Sequence, residues 1–176
     1  MTRSIRRVAL PASLFLSAAI LGGGCDLSTK HWAEETLADE PGQSMTVVDQ
    51  YVDLSLQYNE GTAFSFVRDL GLARLVFGIF SILVVIALFV VVVRHPQHRW
   101  RALGFGVVAG GALGNGLDRI FRDGVVDFIV VHYPWGGSWP TFNIADVLVA
   151  VGVAILLIEG IATRTRPPAG AAGATG

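Results

Sequence analysis

Four apolar stretches, separated by polar segments, constrain the fold of this chain more than any other feature. They cover residues 8–25, 72–93, 102–117 and 147–161. About 20 apolar residues are needed to cross the core of a bilayer as a helix. The last two stretches reach this length only with the polar residues at their ends, 115–118 and 143–146. The sequence therefore predicts four transmembrane helices, two of which end in polar groups at the membrane surface.

The composition supports a membrane protein and disfavours several other classes. Of the 176 residues, 52% are hydrophobic and 15% are charged, whereas a soluble domain carries about 25% charged residues. The sequence has no basic stripe of the kind that binds nucleic acid. The single cysteine, Cys25, excludes an intramolecular disulfide, and the four histidines lack the spacing of metal ligands. We therefore expect no metal, no other cofactor and no nucleic-acid partner.

Arginine residues predict the orientation of the four spans. They form three groups, namely Arg3, Arg6 and Arg7, then Arg94, Arg99 and Arg101, and finally Arg164 and Arg166. With four spans, all three groups lie on one side of the membrane, which the positive-inside rule makes the cytoplasmic side. Both termini are then cytoplasmic, and residues 26–71 and 118–146 face the outer side.

The outer segments contain elements of their own. Residues 46–56 are β-branched and partly alternate, which predicts one or two short strands. Residues 124–132 predict another strand, and residues 31–37 favour a short amphipathic helix at the membrane interface. The predicted fold class is membrane α-helical, with four transmembrane helices and a small extracytoplasmic β-containing subdomain. Residues 1–166 form one domain, and residues 167–176 form a disordered cytoplasmic tail.

Two aspartates, Asp127 and Asp146, each lie where a membrane segment meets the outer water. Carboxylates are costly near hydrocarbon and by default indicate function. Two carboxylates that meet can share one proton and activate water, which favours an intramembrane aspartic peptidase. The structural alternatives are that Asp146 is the N-cap of the fourth span and that Asp127 is a lone polar residue on a strand that faces water.

Two motifs before the second span have both a structural and a functional interpretation. Asp26 and Lys30 are spaced to pair on one helix face, either at a solvated helix end with an extended lysine or within a site. Asn59 and Gly61 belong to a predicted turn. Alternatively, the Asn59 amide holds the backbone of a substrate.

The third span also carries both kinds of signal. Its glycines, over residues 110–116, allow helices to approach closely in lipid. They do not account for Asn115, Asp118 and Arg119. These three residues either form the polar end of the helix or anchor a site or a lipid headgroup.

Taken together, these motifs resemble those of the lipoprotein signal peptidase family, also called signal peptidase II. The matching segments are Asp26-x-x-Thr-Lys30, Asn59-x-Gly-x-Ala-Phe64, Gly111-Ala-Leu-Gly-Asn-x-x-Asp-Arg119, Val125-Val-Asp-Phe128 and Phe142-Asn-x-Ala-Asp146. Their order and spacing agree with that family over roughly residues 8–162. Glu60 and Gly116 depart from its usual pattern, but neither is a matched functional position.

The resemblance implies an aspartic endopeptidase of the bacterial inner membrane that works without a metal. Its substrates would be prolipoproteins modified with diacylglyceryl, which it cuts before the lipidated cysteine, and the cyclic peptide globomycin would inhibit it. We expect a monomer in contact with membrane lipid. Asp127 and Asp146 would be the catalytic dyad. The implied substrate-binding residues are Asp26, Lys30, Asn59, Gly61, Asn115, Asp118, Arg119, Asn143 and Ala145.

Two alternative functions remain open from the sequence. A small transporter or channel subunit would use buried Asp and Asn side chains to relay ions. The run Leu21-Gly-Gly-Gly-Cys25 is also similar to the lipidation signal of a lipoprotein, so the chain could itself be anchored at Cys25.

Overall fold

The computed structural model describes residues 2–60 and 73–164, with side chains from residue 8 onwards. It contains four long helices and a small antiparallel sheet, which confirms the predicted fold class. The helices are α1 Thr2–Leu37, α2 Ala73–Arg94, α3 Arg99–Phe121 and α4 Ile144–Arg164. The strands are β1 Ser44–Val48, β2 Val52–Asn59 and β3 Val125–Val131, in the order β1-β2-β3. Gly61 and the C-terminal tail lie outside the described residues.

Three helices among the described residues are long and apolar enough to span a membrane. They are residues Val8–Leu37 of α1, all of α2 and all of α4. Large apolar side chains such as Val76, Phe80 and Leu83 of α2 point outward and are more than half exposed. An apolar exterior of this kind is stable against lipid and would be unstable in water.

The fourth long helix, α3, is less apolar because of its glycines, and it lies at the centre of the bundle against the other three helices. Gly106 faces the α1 backbone at Phe15, and Gly111 faces the α4 backbone at Ala145 so closely that a Cβ atom would overlap it. Gly116 lies against Ser81 of α2. The glycines therefore do bring the helices into close contact, as their spacing predicts.

The first helix differs from the sequence prediction. A separate interfacial helix over residues 31–37 is wrong, because α1 continues without a break to Leu37. Beyond the apolar span, Ala33 and Leu37 are fully buried and pack with Leu56, Val126 and Phe128 in the core of the sheet. This burial stabilises the extra turns of α1 and joins the membrane helix to the sheet.

The predicted strands are confirmed, and their register places one aspartate beside an irregularity. Asp127 of β3 pairs with Gln57 of β2, but the register shifts between Leu54 and Gln57. A bulge of this kind bends a strand and is common next to active sites, where it re-aims a side chain. It therefore sets the direction of the C-terminal end of β2, where Asn59 lies.

Candidate active site

The candidate site lies where the ends of α1 and α3, the start of α4 and strand β3 meet. Asp127 and Asp146, on β3 and in the first turn of α4, are joined through two amides. Asn143 Nδ2 donates a hydrogen bond to Asp127 Oδ1 at 2.7 Å. Asn115 Nδ2 donates to Asp146 Oδ1 at 3.0 Å, and Asn143 Nδ2 also lies 3.0 Å from Asn115 Oδ1. One connected network thus holds both carboxylates.

The start of α4 fixes the position of Asp146. The backbone N–H of Asp146 donates to Asn143 Oδ1 at 3.1 Å, and the backbone N–H of Asn143 donates to Asp146 Oδ2 at 3.2 Å. This reciprocal pair is a capping box. The N-cap of α4 is therefore Asn143. The alternative in which Asp146 is the N-cap is wrong, because Asp146 lies three residues further along, in the first turn. Asp146 itself remains exposed.

Asp127 has a very different environment from Asp146. Its side chain is 4% exposed, and Oδ2 accepts a hydrogen bond from Asn59 Nδ2 at 3.1 Å. Burial raises the pKa of Asp127 to about 6, and the negative charge of Asp146 adds to this, while Asn59, Lys30 and Asn143 act in the opposite direction. Asp127 therefore holds a proton more readily than an ordinary aspartate, and one carboxyl of the pair can serve as an acid.

A buried charge cluster lies beneath the two aspartates. Lys30 Nζ is 2.7 Å from Asp26 Oδ2 and 2.8 Å from Asp118 Oδ2, and all three side chains are at most 1% exposed. Lys30 also donates to Asn115 Oδ1 at 2.9 Å. The predicted pairing of Asp26 with Lys30 is confirmed, whereas a solvated helix end is wrong. The cluster instead supports Asn115, which contacts Asp146.

The same cluster holds the surrounding backbone in place. Asp26 Oδ1 accepts a hydrogen bond from the backbone N–H of Ala145 at 2.7 Å, and Asp118 Oδ2 accepts one from Val126 at 3.3 Å. Ala145 follows the N-cap of α4, and Val126 precedes Asp127. Carboxylates from α1 and α3 thereby fix the two segments that carry the candidate dyad.

Arg119 is the cation beside the dyad. It is partly buried, and its Nη1 donates to the backbone oxygen of Asn115 at 2.9 Å. Its charge interacts with those of Asp127, Asp146 and Asp118. A fixed guanidinium in this position can compensate negative charge on the dyad.

A cleft of about 600 Å³ opens next to Asp127. Its lining residues are Gln57, Tyr58, Asn59, Asp127, Ser138, Trp139, Pro140 and Thr141. Of these residues, the sequence motifs contain Asn59 and Asp127. Trp139 and its neighbours lie in a loop that has no periodic pattern of apolar residues, so no sequence signal identified them. Within residues 2–60 and 73–164, no three His, Cys, Asp or Glu side chains are grouped to hold a metal ion.

Comparison with known proteins identifies a family and several relatives. The family of signal peptidase (SPase) II matches residues 18–162. A lipoprotein signal peptidase of Ectopseudomonas mendocina is 39% identical over 150 residues, which cover 83% of this chain and 85% of the relative. One from Francisella tularensis subsp. mediasiatica is 33% identical over 159 residues, which cover 89% of this chain and 96% of the relative.

A solved structure has the same fold. A bacterial membrane enzyme determined by the in meso method at 1.9 Å resolution superposes with a TM-score of 0.71 and 27% sequence identity. The superposition covers 84% of this chain and 92% of that enzyme. The family match spans most of the chain and contains every described residue of the candidate site. The chain therefore belongs to the signal peptidase II family.

Proposed function

We propose that this protein is an aspartic endopeptidase that removes the signal peptide from diacylglyceryl-modified prolipoproteins, cutting before the lipidated cysteine. Membership of the signal peptidase II family supports the substrate class. The observation that carries the aspartic mechanism is the pair of carboxylates, one buried and one exposed, within a single amide network. Such a difference in environment assigns acid and base roles to two carboxyl groups.

In the proposed mechanism, Asp146 is the charged base and Asp127 the protonated acid. Asp146 takes a proton from a water molecule between the two carboxyl groups, and the water oxygen attacks the scissile carbonyl. Asp127 donates a hydrogen bond to the developing oxyanion. The proton on Asp146 then passes to the leaving amine as the peptide bond breaks. General acid–base catalysis of this kind contributes about 10²–10⁴-fold.

The other matched residues act mainly by position. Asn59, Asn115 and Asn143 orient the carboxyl groups, and orientation can account for much of a rate enhancement. Asp26, Lys30, Asp118 and Ala145 are buried in the structure. We therefore assign these four to the support of the dyad, and leave Arg119 and Asn59 as the residues placed to meet substrate.

The proposed orientation puts both termini in the cytoplasm of the bacterial cell and the site at the outer face of the inner membrane. The end of α2, the start of α3 and the end of α4 carry Arg94, Arg101 and Arg164, and Arg101 pairs with Glu159 across α3 and α4. The candidate site lies at the other end of the bundle. The positive-inside rule supports this assignment.

Neither alternative function is favoured. A transporter would need polar groups along the spans, but Ser81 of α2 donates only to the backbone of its own helix, at Phe77. A lipoprotein anchored at Cys25 would be cleaved within the matched region, which begins at residue 18. In the structure Cys25 lies inside the continuous helix α1.

The decisive test is a gel-shift assay with the purified protein and a diacylglyceryl-modified prolipoprotein, with and without globomycin. We expect cleavage that globomycin blocks, and no cleavage by Asp146→Asn. The side-chain oxygen of the introduced amide can still accept the hydrogen bond from the backbone N–H of Asn143 that closes the capping box. The variant should therefore remain folded. Cleavage by a folded Asp146→Asn protein at the wild-type rate would refute the dyad.

A further inference from the structure

Arg122, which directly follows α3, contacts the buried cluster although it belongs to no matched motif. Its Nε lies 3.3 Å from Asp118 Oδ1, and its Nη1 forms an ion pair with Glu34 of α1. Asp118 Oδ1 is buried and has no hydrogen-bond donor among the described residues. The guanidinium of Arg122 is therefore the group that compensates this oxygen.

The charge of the cluster shows why a second cation is needed. Asp26 and Asp118 carry two negative charges and Lys30 carries one positive charge, so the three buried side chains sum to −1. An uncompensated buried charge is strongly unfavourable. Arg119 stands closer to the dyad, whose shared-proton form also has one negative charge. Arg122 supplies a positive charge against Asp118, where it offsets this excess, and Arg119 supplies one beside the dyad.

The buried cluster and the dyad are connected through one amide. Lys30 donates to Asn115 Oδ1 at 2.9 Å, and Asn115 Nδ2 donates to Asp146 Oδ1 at 3.0 Å. Without Arg122, Lys30 would be the only cation among the described residues in ion-pair contact with the two buried carboxylates, and it would be drawn away from Asn115. The orientation of the Asn115 amide toward Asp146 therefore depends on the charge at Arg122.

Glu34 holds Arg122 in this position from the outer side. Its second oxygen, Oε1, accepts a hydrogen bond from Tyr58 Oη at 3.2 Å. Tyr58 lines the cleft and precedes Asn59, which contacts Asp127. The ion pair thus also links the cleft wall to the buried cluster.

We propose that Arg122 is a positioning residue for the peptidase reaction, which balances the charge of the Asp26–Lys30–Asp118 cluster and so keeps Asn115 directed at Asp146. The inference rests on the proposed function. The charged and titratable groups around the cluster and the dyad are Asp26, Lys30 and Glu34 of α1, Tyr58 of β2, Asp118 and Arg119 of α3, Asp127 of β3 and Asp146 of α4.

The test compares Arg122→Gln with Arg122→Lys in the full-length protein, using a lipidated substrate across a pH series. Lys30 lowers the pKa of Asp127, and loss of the Arg122 cation should draw Lys30 toward Asp118. The basic limb of kcat/KM should therefore move to higher pH, by at most about one pH unit. We expect kcat to fall about tenfold in Arg122→Gln with KM little changed. Arg122→Lys, which keeps the charge, should retain the wild-type profile.

Two further variants separate this role from a general effect on stability. Arg74 pairs with the exposed Asp123 near the same end of α3, so Arg74→Gln removes a nearby arginine without touching the cluster, and its profile should not move. The double variant Asp118→Asn with Arg122→Gln removes one negative and one positive charge and so restores the wild-type sum of charges, and its basic limb should return toward that of the wild type. The double variant also provides the test if Arg122→Gln alone does not fold.

An unchanged pH profile in a folded Arg122→Gln protein would overturn the inference, and so would a double variant that shifts as far as the single one. If the wild-type protein cleaves no lipidated substrate at all, it is the proposed function that fails. The two failures are therefore distinguishable in one set of measurements.

Discussion

The Asn143 side chain donates hydrogen bonds to Asp127 and Asn115, while its oxygen caps α4 at Asp146. Because all three contacts come from one amide, the positions of the two carboxylates are not independent. Asp118, by comparison, contacts Lys30 and Arg122 and lies beneath the site. Single-residue substitutions can therefore separate a reacting aspartate from a supporting one.

We predict that Asp127→Asn abolishes cleavage, whereas Asp118→Asn weakens it mainly through stability. An amide at 127 can neither donate the carboxyl proton nor share it, and the loss should be at least about 10²-fold in kcat. Removing Asp118 breaks a buried ion pair and should lower the free energy of unfolding by about 3 kcal/mol. Rates and thermal unfolding in the same detergent check both. A dead but stable Asp118→Asn beside an active Asp127→Asn would reverse the assignment.

The protonation of Asp127 predicts the pH dependence of the reaction. The pKa of Asp127 is raised to about 6, and the proposed role requires its proton. As the pH rises through this value the proton is lost, so kcat/KM should fall above about pH 6. Asn59 donates to the charged carboxylate and lowers its pKa. In Asn59→Leu, the fall of kcat/KM should therefore occur at higher pH than in the wild type. A shift of this fall to lower pH would contradict the role of Asp127.

At the scale of helices and strands, close backbone contacts between α1, α3 and α4 set the geometry of the site. A Cβ atom on Gly114 of α3 would overlap the carboxylate of Asp26, whereas a Cβ atom on Gly24 would meet no atom within 4 Å. The two glycines form a matched pair, one inside the interface and one outside.

We predict that Gly114→Ala strongly reduces both cleavage and thermal stability, while Gly24→Ala is neutral or slightly stabilising. The first change displaces Asp26 from Lys30 and from the Ala145 amide. The second only replaces glycine by a better helix former, a difference of about 1 kcal/mol in favour of alanine. Thermal unfolding and cleavage rates of both variants are the measurement. Equal losses in the two proteins would show that the contact at Asp26 is unimportant.

Much at this scale could be predicted from the sequence, because spans and strands follow local patterns of apolar residues. The helices around residues 73–94, 99–121 and 144–164 and the strand at 125–131 agree with those patterns. The length of α1 could not be predicted from the sequence, since the burial of Leu37 depends on a sheet formed by distant segments. The same holds for the ion pair of Arg122 with Glu34, which comes from a distant part of the chain, whereas Asp118 lies four residues before Arg122.

Over the whole molecule, the bundle separates an arginine-rich end from the end that carries the candidate site. The single cysteine, Cys25, directly precedes Asp26 and is exposed on α1. Nothing in the proposed mechanism requires a thiol, and the hydrogen bonds that hold the candidate dyad do not involve the Cys25 side chain.

We predict that Cys25→Ser retains the wild-type cleavage rate and that the purified wild-type protein has an unprocessed, unlipidated Cys25. The first expectation follows from the aspartic mechanism. The second follows from the continuity of α1, whose residues before and after Cys25 belong to one helix. Intact mass and the cleavage rate test both expectations. Loss of activity in a folded Cys25→Ser protein would instead favour a thiol mechanism or lipidation of the chain itself.

In the proposed orientation, the continuity of α1 also sets the depth of the cleavage reaction in the bilayer. A helix rises 1.5 Å per residue, so the 18 residues from Val8 to Cys25 measure about 27 Å. Asp26 and Lys30 follow at once and contact the network that holds the candidate dyad. In the proposed orientation, the length of α1 therefore sets the distance between the cytoplasmic membrane surface and the scissile bond. The cleavage rate should therefore depend on lipid chain length, with an optimum where the thickness of the bilayer core matches the length of this segment.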